Sequence, residues 1–276
     1  MMKKVFPYFS LFGALLALLF WSLTAAADGK PRELADLKEG DRIDCSGNYS
    51  GHLQGIATDG ISIYWSFSEH VVRTDLSGKL LAKVKIPFHG GDPCWYAGRL
   101  YVPIGEHFNS EAPKGKAAKN LIYVFDQRLK LVRKYRLPGF KYGAGGVAAY
   151  KGHFFVAGGR PADLHGNTVW EYSANFKKLR RHELAFDSEA GIQTINRAFG
   201  KWYFGCYGTD GCAVVADDGF KIVERVKPPL NVGMIPLARE GLVLVGEVKW
   251  KDKEHSTASA VVMHLRKDAA KPASRR

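Results

Sequence analysis

The chain has 276 residues, 12% of them aromatic, with 30 glycines and a formal net charge of +13. Aromatics and glycines in that proportion suit an all-β protein rich in turns, long enough for one large domain or two small ones. The charge favours anionic partners, but no nucleic-acid-binding motif accompanies it. There is also no Gly-x-Ser-x-Gly elbow and no phosphate loop, and "GAGG" follows no strand-to-helix pattern, so it is not a dinucleotide fingerprint.

The chain opens on "MMKK", runs apolar from Val5 to Trp21 and leaves through Ala25, Ala26 and Ala27. A basic start, an apolar middle and a small-residue exit mark residues 1–27 as a signal peptide and the protein as exported, periplasmic or secreted. Pro7, Ser10 and Gly13 interrupt the run, and no Cys follows it, which argues against a permanent span or a lipid anchor. "GDRIDCSG" (40–47) then reads as a lone strand with no hairpin partner beside it.

From there one phrase recurs: "LQGIATDGISIYW", "GDPCWYAGRLYVP", "GGVAAYKGHFFVA", "IQTINRAFGKWYF" and "MIPLAREGLVLVG". Each holds a turn glycine (Gly60, Gly98, Gly152, Gly200, Gly241) before an apolar strand, at spacings of 38, 54, 48 and 41 residues. Two further strands follow each of the first four phrases, as in "HVVRTDLS" and "KLLAKVKIP"; only "ASAVVMHLR" follows the fifth. All-strand repeats of this length are propeller blades. The expected fold is a single five-bladed β-propeller over residues 28–266, closed by the N-terminal strand completing the last blade. A basic disordered tail occupies 267–276.

In such a ring the first strand of each blade lines the central channel. Gln54, Asp92, Gly145, Gln193 and Ile235 are expected to ring the axis, with His52 at the entry, on side chains facing water or ligand. The long connections "IGEHFNSEAPKGKAAK", "GGRPADLHG", "CYGTDG" and "EVKWKDKEHST" fall on one face with the glycine-rich inter-blade loops, so the site is expected there. Its candidate ligand-binding residues are His52, Gln54, His89, Asp92, Glu106, His107, Tyr142, Gln193 and Glu247. Trp95, Trp202 and Tyr142 are candidates for ring stacking, or for wedging between blades.

Asp92 and Glu189, at the start of channel strands, are the candidate catalytic carboxylates, because glycoside hydrolysis needs a paired acid and base or nucleophile. The histidines with Asp92 are of the right type for a divalent metal, yet no tight spacing supports one, and no cofactor is expected. Cys206 and Cys212 end facing neighbouring strands and are expected to form a disulfide, leaving Cys45 and Cys94 reduced. Lys177–His182, the loop "APKGKAAK" and the tail make a basic rim suited to an anionic glycan or a membrane surface. A monomer is the expected state.

The stretch "LQGIATDGISIYWSFS…VVRTDLSGKLL", with "FHGGDPCW" and "GIQTINRAFGKWYFG" later, resembles the five-bladed glutaminyl cyclotransferases of plants and bacteria. That resemblance implies a propeller over most of the mature chain. It puts Asp92 close to the place of a catalytic Glu and Gln193 where a carboxylate would stand. "GHLQGI", "YGAGG", "GIQT" and "FGCYG" also resemble phrases of uncharacterised exported bacterial propellers. The leading expectation is a propeller binding a small polar ligand, a sugar or a peptide end, in its axial funnel. The alternatives are a cyclotransferase-like or glycosidase-like enzyme at the same site, and a polyanion-binding scaffold.

Overall fold

In the computed structural model, residues 32–107, 119–161 and 163–268 are described. The expected signal segment, most of the basic loop at 112–119 and residues 269–276 of the tail lie outside them. The strands form five sheets, and the protein is a five-bladed β-propeller.

Blade one runs Leu53–Thr58, Ser62–Phe67, His70–Asp75 and Leu80–Lys85 from the axis outward. Blade two has a broken inner strand, His89–Gly90 and Cys94–Tyr96, then Arg99–Gly105, Asn120–Phe125 and Leu131–Arg136. Blade three is Ala144–Tyr150, His153–Gly158, Asn167–Tyr172 and Lys178–Leu184, and blade four Ile192–Ala198, Lys201–Cys206, Ala213–Ala216 and Ile222–Lys227. Blade five takes Met234–Pro236, Leu242–Trp250 and His255–His264 from the end of the chain and Arg42–Ser50 from its beginning.

Local chemistry builds each blade in the same way. The inner hairpin of blade three turns on Lys151 and Gly152, both at positive φ (48° and 79°), the two-residue turn whose twist matches paired strands. The outer hairpins of blades one, two and four turn on Asp75, Asp126 and Asp217, whose carboxylates accept backbone N–H groups two and four residues on. The outer strands read Lys/Arg-rich and largely exposed, which blunts edges that would otherwise recruit further strands.

Apolar side chains pack between blades, one layer at each of the five junctions. Trp202 lies against Phe155 and Phe220 between blades three and four (centroids 4.6 and 5.1 Å). Trp95 stacks on Tyr64 between blades one and two at 5.2 Å. Both tryptophans are wedges.

The ring closes as expected. Arg42 pairs with Val261, Ile43 with Ala260 and Cys45 with Ala258, and after a bulge Tyr49 with Ser256. Ile43, Cys45 and Tyr49 are buried in the layer shared by blades five and one. The propeller also runs past its expected end. Arg266–Lys267 add a short strand to the outer edge of blade four, and Asp268 N–H donates to the Arg225 carbonyl. Lys267 is therefore paired backbone and not the start of a disordered tail.

The expected Cys206–Cys212 disulfide is absent, and both thiols are free. Cys206 belongs to the apolar layer between blades three and four, where burial pushes its thiol up to about 12. The Cys212 thiol instead donates to Asp268 Oδ2 at 3.2 Å. Thr209 closes the loop between them, its hydroxyl bonding the Cys206 and Cys212 carbonyls.

Candidate functional site

The residues expected to ring the axis share a backbone feature that simple alternation does not reveal. Ladder registers shift between Leu53 and Gly55, between Ala144 and Gly146, and between Ile192 and Thr194. Gln54, Gly145 and Gln193 are thus the extra residues of β-bulges in three inner strands. Gln54 and Gln193 are 5% and 7% exposed, so neither side chain stands in open solvent.

Asp92 departs furthest from expectation. It is 0% exposed, and its backbone bridges blades two and three by donating to Gly145 O and accepting from Val147 N–H. Its carboxyl Oδ2 accepts from Ile195 N–H and the Asn196 amide of blade four, both at 3.3 Å. Blades one and five press on it: a Cβ on Gly55 would fall 2.1 Å from Oδ1, and one on Gly233 2.8 Å. Among the described residues Oδ1 makes no hydrogen bond of good geometry, although the Ile56 N–H stands close enough to act on the carboxyl. Burial raises the carboxyl well above the usual range, against the opposing pull of the Ile195 and Ile56 N–H groups and the Asn196 amide. The expected solvated channel is closed here, because the inner strands approach too closely to admit water around this side chain. Asp92 ties the blades together at the axis and cannot reach a ligand in the funnel. Below it, on the short-turn face, a mouth of about 170 Å³ is lined by all five blades, with Asn196, Arg197, Thr58 and Trp95 among its walls.

On the long-loop face a cavity of about 550 Å³ lies between blades one, four and five. Its polar and aromatic wall is His52, Tyr207, Asn231, Glu247 and Trp250; Val232, Val245 and Met263 supply apolar surface. Trp250 is placed there because the hairpin of Leu242–Trp250 and His255–His264 runs long, and the residue stays 49% exposed. Its ring centroid is 5.4 Å from that of His52.

His52 is held from two sides. Nδ1–H donates to the Leu53 carbonyl at 3.0 Å, and the Gln54 amide nitrogen packs against the ring, 3.0 Å from Nε2 and 3.2 Å from Nδ1. Burial lowers the His52 pKa, against the raising effect of the Leu53 carbonyl. His89 stands behind it at 6.4 Å, lowered to about 4 by burial and by His52 itself. Both imidazoles are neutral at pH 7. Burial raises the Tyr207 phenol, which the bond with Asn231 only partly offsets. Glu247 is ion-paired with Arg42 at 2.9 Å and accepts from Ser259 Oγ at 3.4 Å.

The structure therefore brings His52, Gln54, His89 and Glu247 to one place and leaves the other candidates elsewhere. Glu106 pairs with Lys119 at 3.7 Å, and the His107 carbonyl accepts from Gly143 N–H. Tyr142 lies in a separate groove beside Lys141. Glu189 is exposed, close over Gly208. Trp250, Tyr207 and Asn231 escape the sequence reading, although "CYGTDG" and "EVKWKDKEHST" mark the loops that carry two of them. Among the described residues no group of three or more His, Cys, Asp or Glu side chains is gathered for a metal.

No protein-family model matches the chain, and no curated protein matches it in sequence. Among solved structures, a protein of unknown function from Bacteroides caccae aligns over 73% of this chain and 72% of its own, at 16% identity and TM-score 0.49. The glutaminyl cyclase of Myxococcus xanthus aligns over 85% of this chain and 100% of its own, at 12% identity and TM-score 0.54. The resemblance to glutaminyl cyclotransferases is thus a distant one, and what it shows is a shared propeller fold.

Proposed function

We propose that the protein is an exported, monomeric binding propeller that takes a small neutral ligand rich in hydroxyl or amide groups, a sugar or a peptide end, in the cavity of His52, Tyr207 and Trp250. The observation that carries this is the half-exposed indole of Trp250 set against a neutral, doubly held imidazole in a cavity of about 550 Å³. An exposed indole offers a face for the apolar side of a sugar or a peptide residue. Around it, Tyr207, Asn231 and Glu247 supply both donors and acceptors. Cavities of this size suit small molecules.

An enzyme at this place has less support. Glycoside hydrolysis needs two carboxyl groups flanking the bond, and among the described residues the cavity wall carries one, Glu247, already paired with Arg42. The carboxyl suggested for cyclisation, Asp92, is sealed on the axis. Titrating intrinsic fluorescence with neutral disaccharides and with short peptides bearing N-terminal glutamine tests the binding reading. Saturable binding that weakens about tenfold in Trp250→Ala is expected, the equivalent of one stacking contact. Release of ammonia from the glutaminyl peptides, or binding indifferent to Trp250→Ala, overturns it.

A further inference from the structure

A further concavity, of about 280 Å³, opens between blades two and three, lined by different residues from those of the His52 cavity. Its floor is backbone of Gly158 and Gly159, and its walls carry Lys141, Tyr142, Arg160, Trp170 and Arg181. Three sequence features that are unremarkable singly meet here: the glycine-rich loop "FKYGAGG", the long connection "GGRPADLHG" and the basic run Lys177–His182.

Arg160 is the unusual member. Only 6% exposed, it donates from Nη2 to the Ser188 carbonyl at 2.7 Å and from Nη1 to the Pro161 carbonyl at 3.3 Å. Among the described residues its buried Nε has no hydrogen-bond partner. Among the described residues its ion-pair partner is Asp187, 3.6 Å away, more than half exposed, and shared with His165. A guanidinium taken from water here has two carbonyl acceptors and one solvated carboxylate as its ion pair, so its positive potential toward the groove is only partly offset.

The register of blade three adds to that charge. Trp170 pairs with Arg181 and Tyr172 with Lys178 on the exposed outer strand. The Lys178 ammonium sits 4.9 Å from the Trp170 ring and the Arg181 guanidinium 5.7 Å. Glu183 at the lip pairs with Arg181 and both are exposed, a weak interaction that a ligand can displace. The indole thus holds two cations in place instead of offering an open face, so the groove is built to read negative charge and not a flat base.

We propose that this groove binds an acidic oligosaccharide, its carboxylate or sulfate groups meeting Arg160, Arg181 and Lys178. The space fits about one sugar ring, and the exposed edge strand extends the track along the next.

The test uses the full chain, a heparin hexasaccharide, an oligogalacturonate of equal length, neutral dextran oligomers and a single-stranded oligothymidylate. Calorimetry on the wild type and on Lys178→Ala/Arg181→Ala is compared with Arg128→Ala/Lys130→Ala, which removes the same charge from exposed positions in the outer hairpin of blade two. Expected is salt-sensitive binding of an acidic oligosaccharide, with none of dextran, weakened at least tenfold by the first pair and less than twofold by the second. Equal losses from both pairs would reduce the effect to net charge and overturn the proposal. Tighter binding of the oligothymidylate, or no binding of either acidic sugar, would also overturn it. Loss of disaccharide binding at Trp250 leaves these outcomes unaffected, so the two sites fail separately.

Discussion

Replacing Asp92 by Asn or Ala separates a carboxyl that ties the axis together from one that waits for a ligand. In an unfolded chain the group titrates near 3.9, whereas burial holds the folded form protonated to well above that. Between those values the folded state carries one proton more than the unfolded. Its contribution is therefore fully present below about pH 3.9 and is lost as pH rises through the folded pKa, at up to about 1.4 kcal/mol per pH unit. Asn keeps the shape and does not titrate. Relative to wild type, Asp92→Asn should gain up to roughly 3 kcal/mol between pH 4.5 and 7. Asp92→Ala shares that pH-dependent gain but strands the Ile195 N–H and the Asn196 amide, at about 1–3 kcal/mol each, and should lie below Asp92→Asn by that amount at every pH. Urea unfolding of the three proteins at pH 4.5, 5.5, 6.5 and 7 measures this, because the other carboxylates cancel in the differences. A difference between Asn and wild type that does not change with pH, or an Ala variant as stable as the Asn variant, would refute the sealed axis.

Two further outcomes follow from contacts elsewhere in the ring. A chain beginning at Asn48 should unfold at least about 3 kcal/mol more easily than one beginning at Arg32, since Leu37 and Ile43 leave a buried layer at about 1.5–3 kcal/mol for each large side chain; equal urea midpoints would contradict the closure. Glu171 accepts from His153 Nδ1 at 2.6 Å and His182 Nε2 at 2.8 Å, and although burial pushes its pKa up, those bonds hold it below the usual range. Its stabilisation is present above the unfolded value near 4.3 and lost as pH falls through the lower folded one. Glu171→Gln should cost about 1–2 kcal/mol at pH 7 and flatten the acid limb of the unfolding profile, which thermal melts from pH 3 to 7 would record.

The architecture was legible because each blade repeats the same turn chemistry at a fixed place, and because Arg42–Ser50 had no partner nearby while the last blade lacked a strand. The site was only half legible. His52 and Gln54 stood out as polar residues where a strand enters a core, and they do belong together. A bulge, however, inserts its extra residue without changing composition, so nothing in "LQGIAT" or "IQTINRA" announces that Gln54 and Gln193 leave the ladder. Asp92 looks like a funnel residue until Gly55 and Gly233, distant in sequence, are seen closing around it. For the cysteines, strand ends placed Cys206 and Cys212 near one another, but thiol direction depends on which layer each side chain enters. Arg160 gave no signal at all, because its burial depends on loops from two blades.

The seam in blade five also sets a timetable. Arg42 and Ser259 are 217 residues apart, so a growing chain presents its first strand while the partner has yet to be made. Blades one to four draw their four main strands from neighbouring stretches and can form in order of synthesis. Blade five cannot, and contacts of such high sequence separation are slow to form. The last step in building the ring is then the docking of Arg42–Ser50 on His255–His264, and until that moment Ile43, Cys45 and Tyr49 have only blade one's half of their layer to pack against.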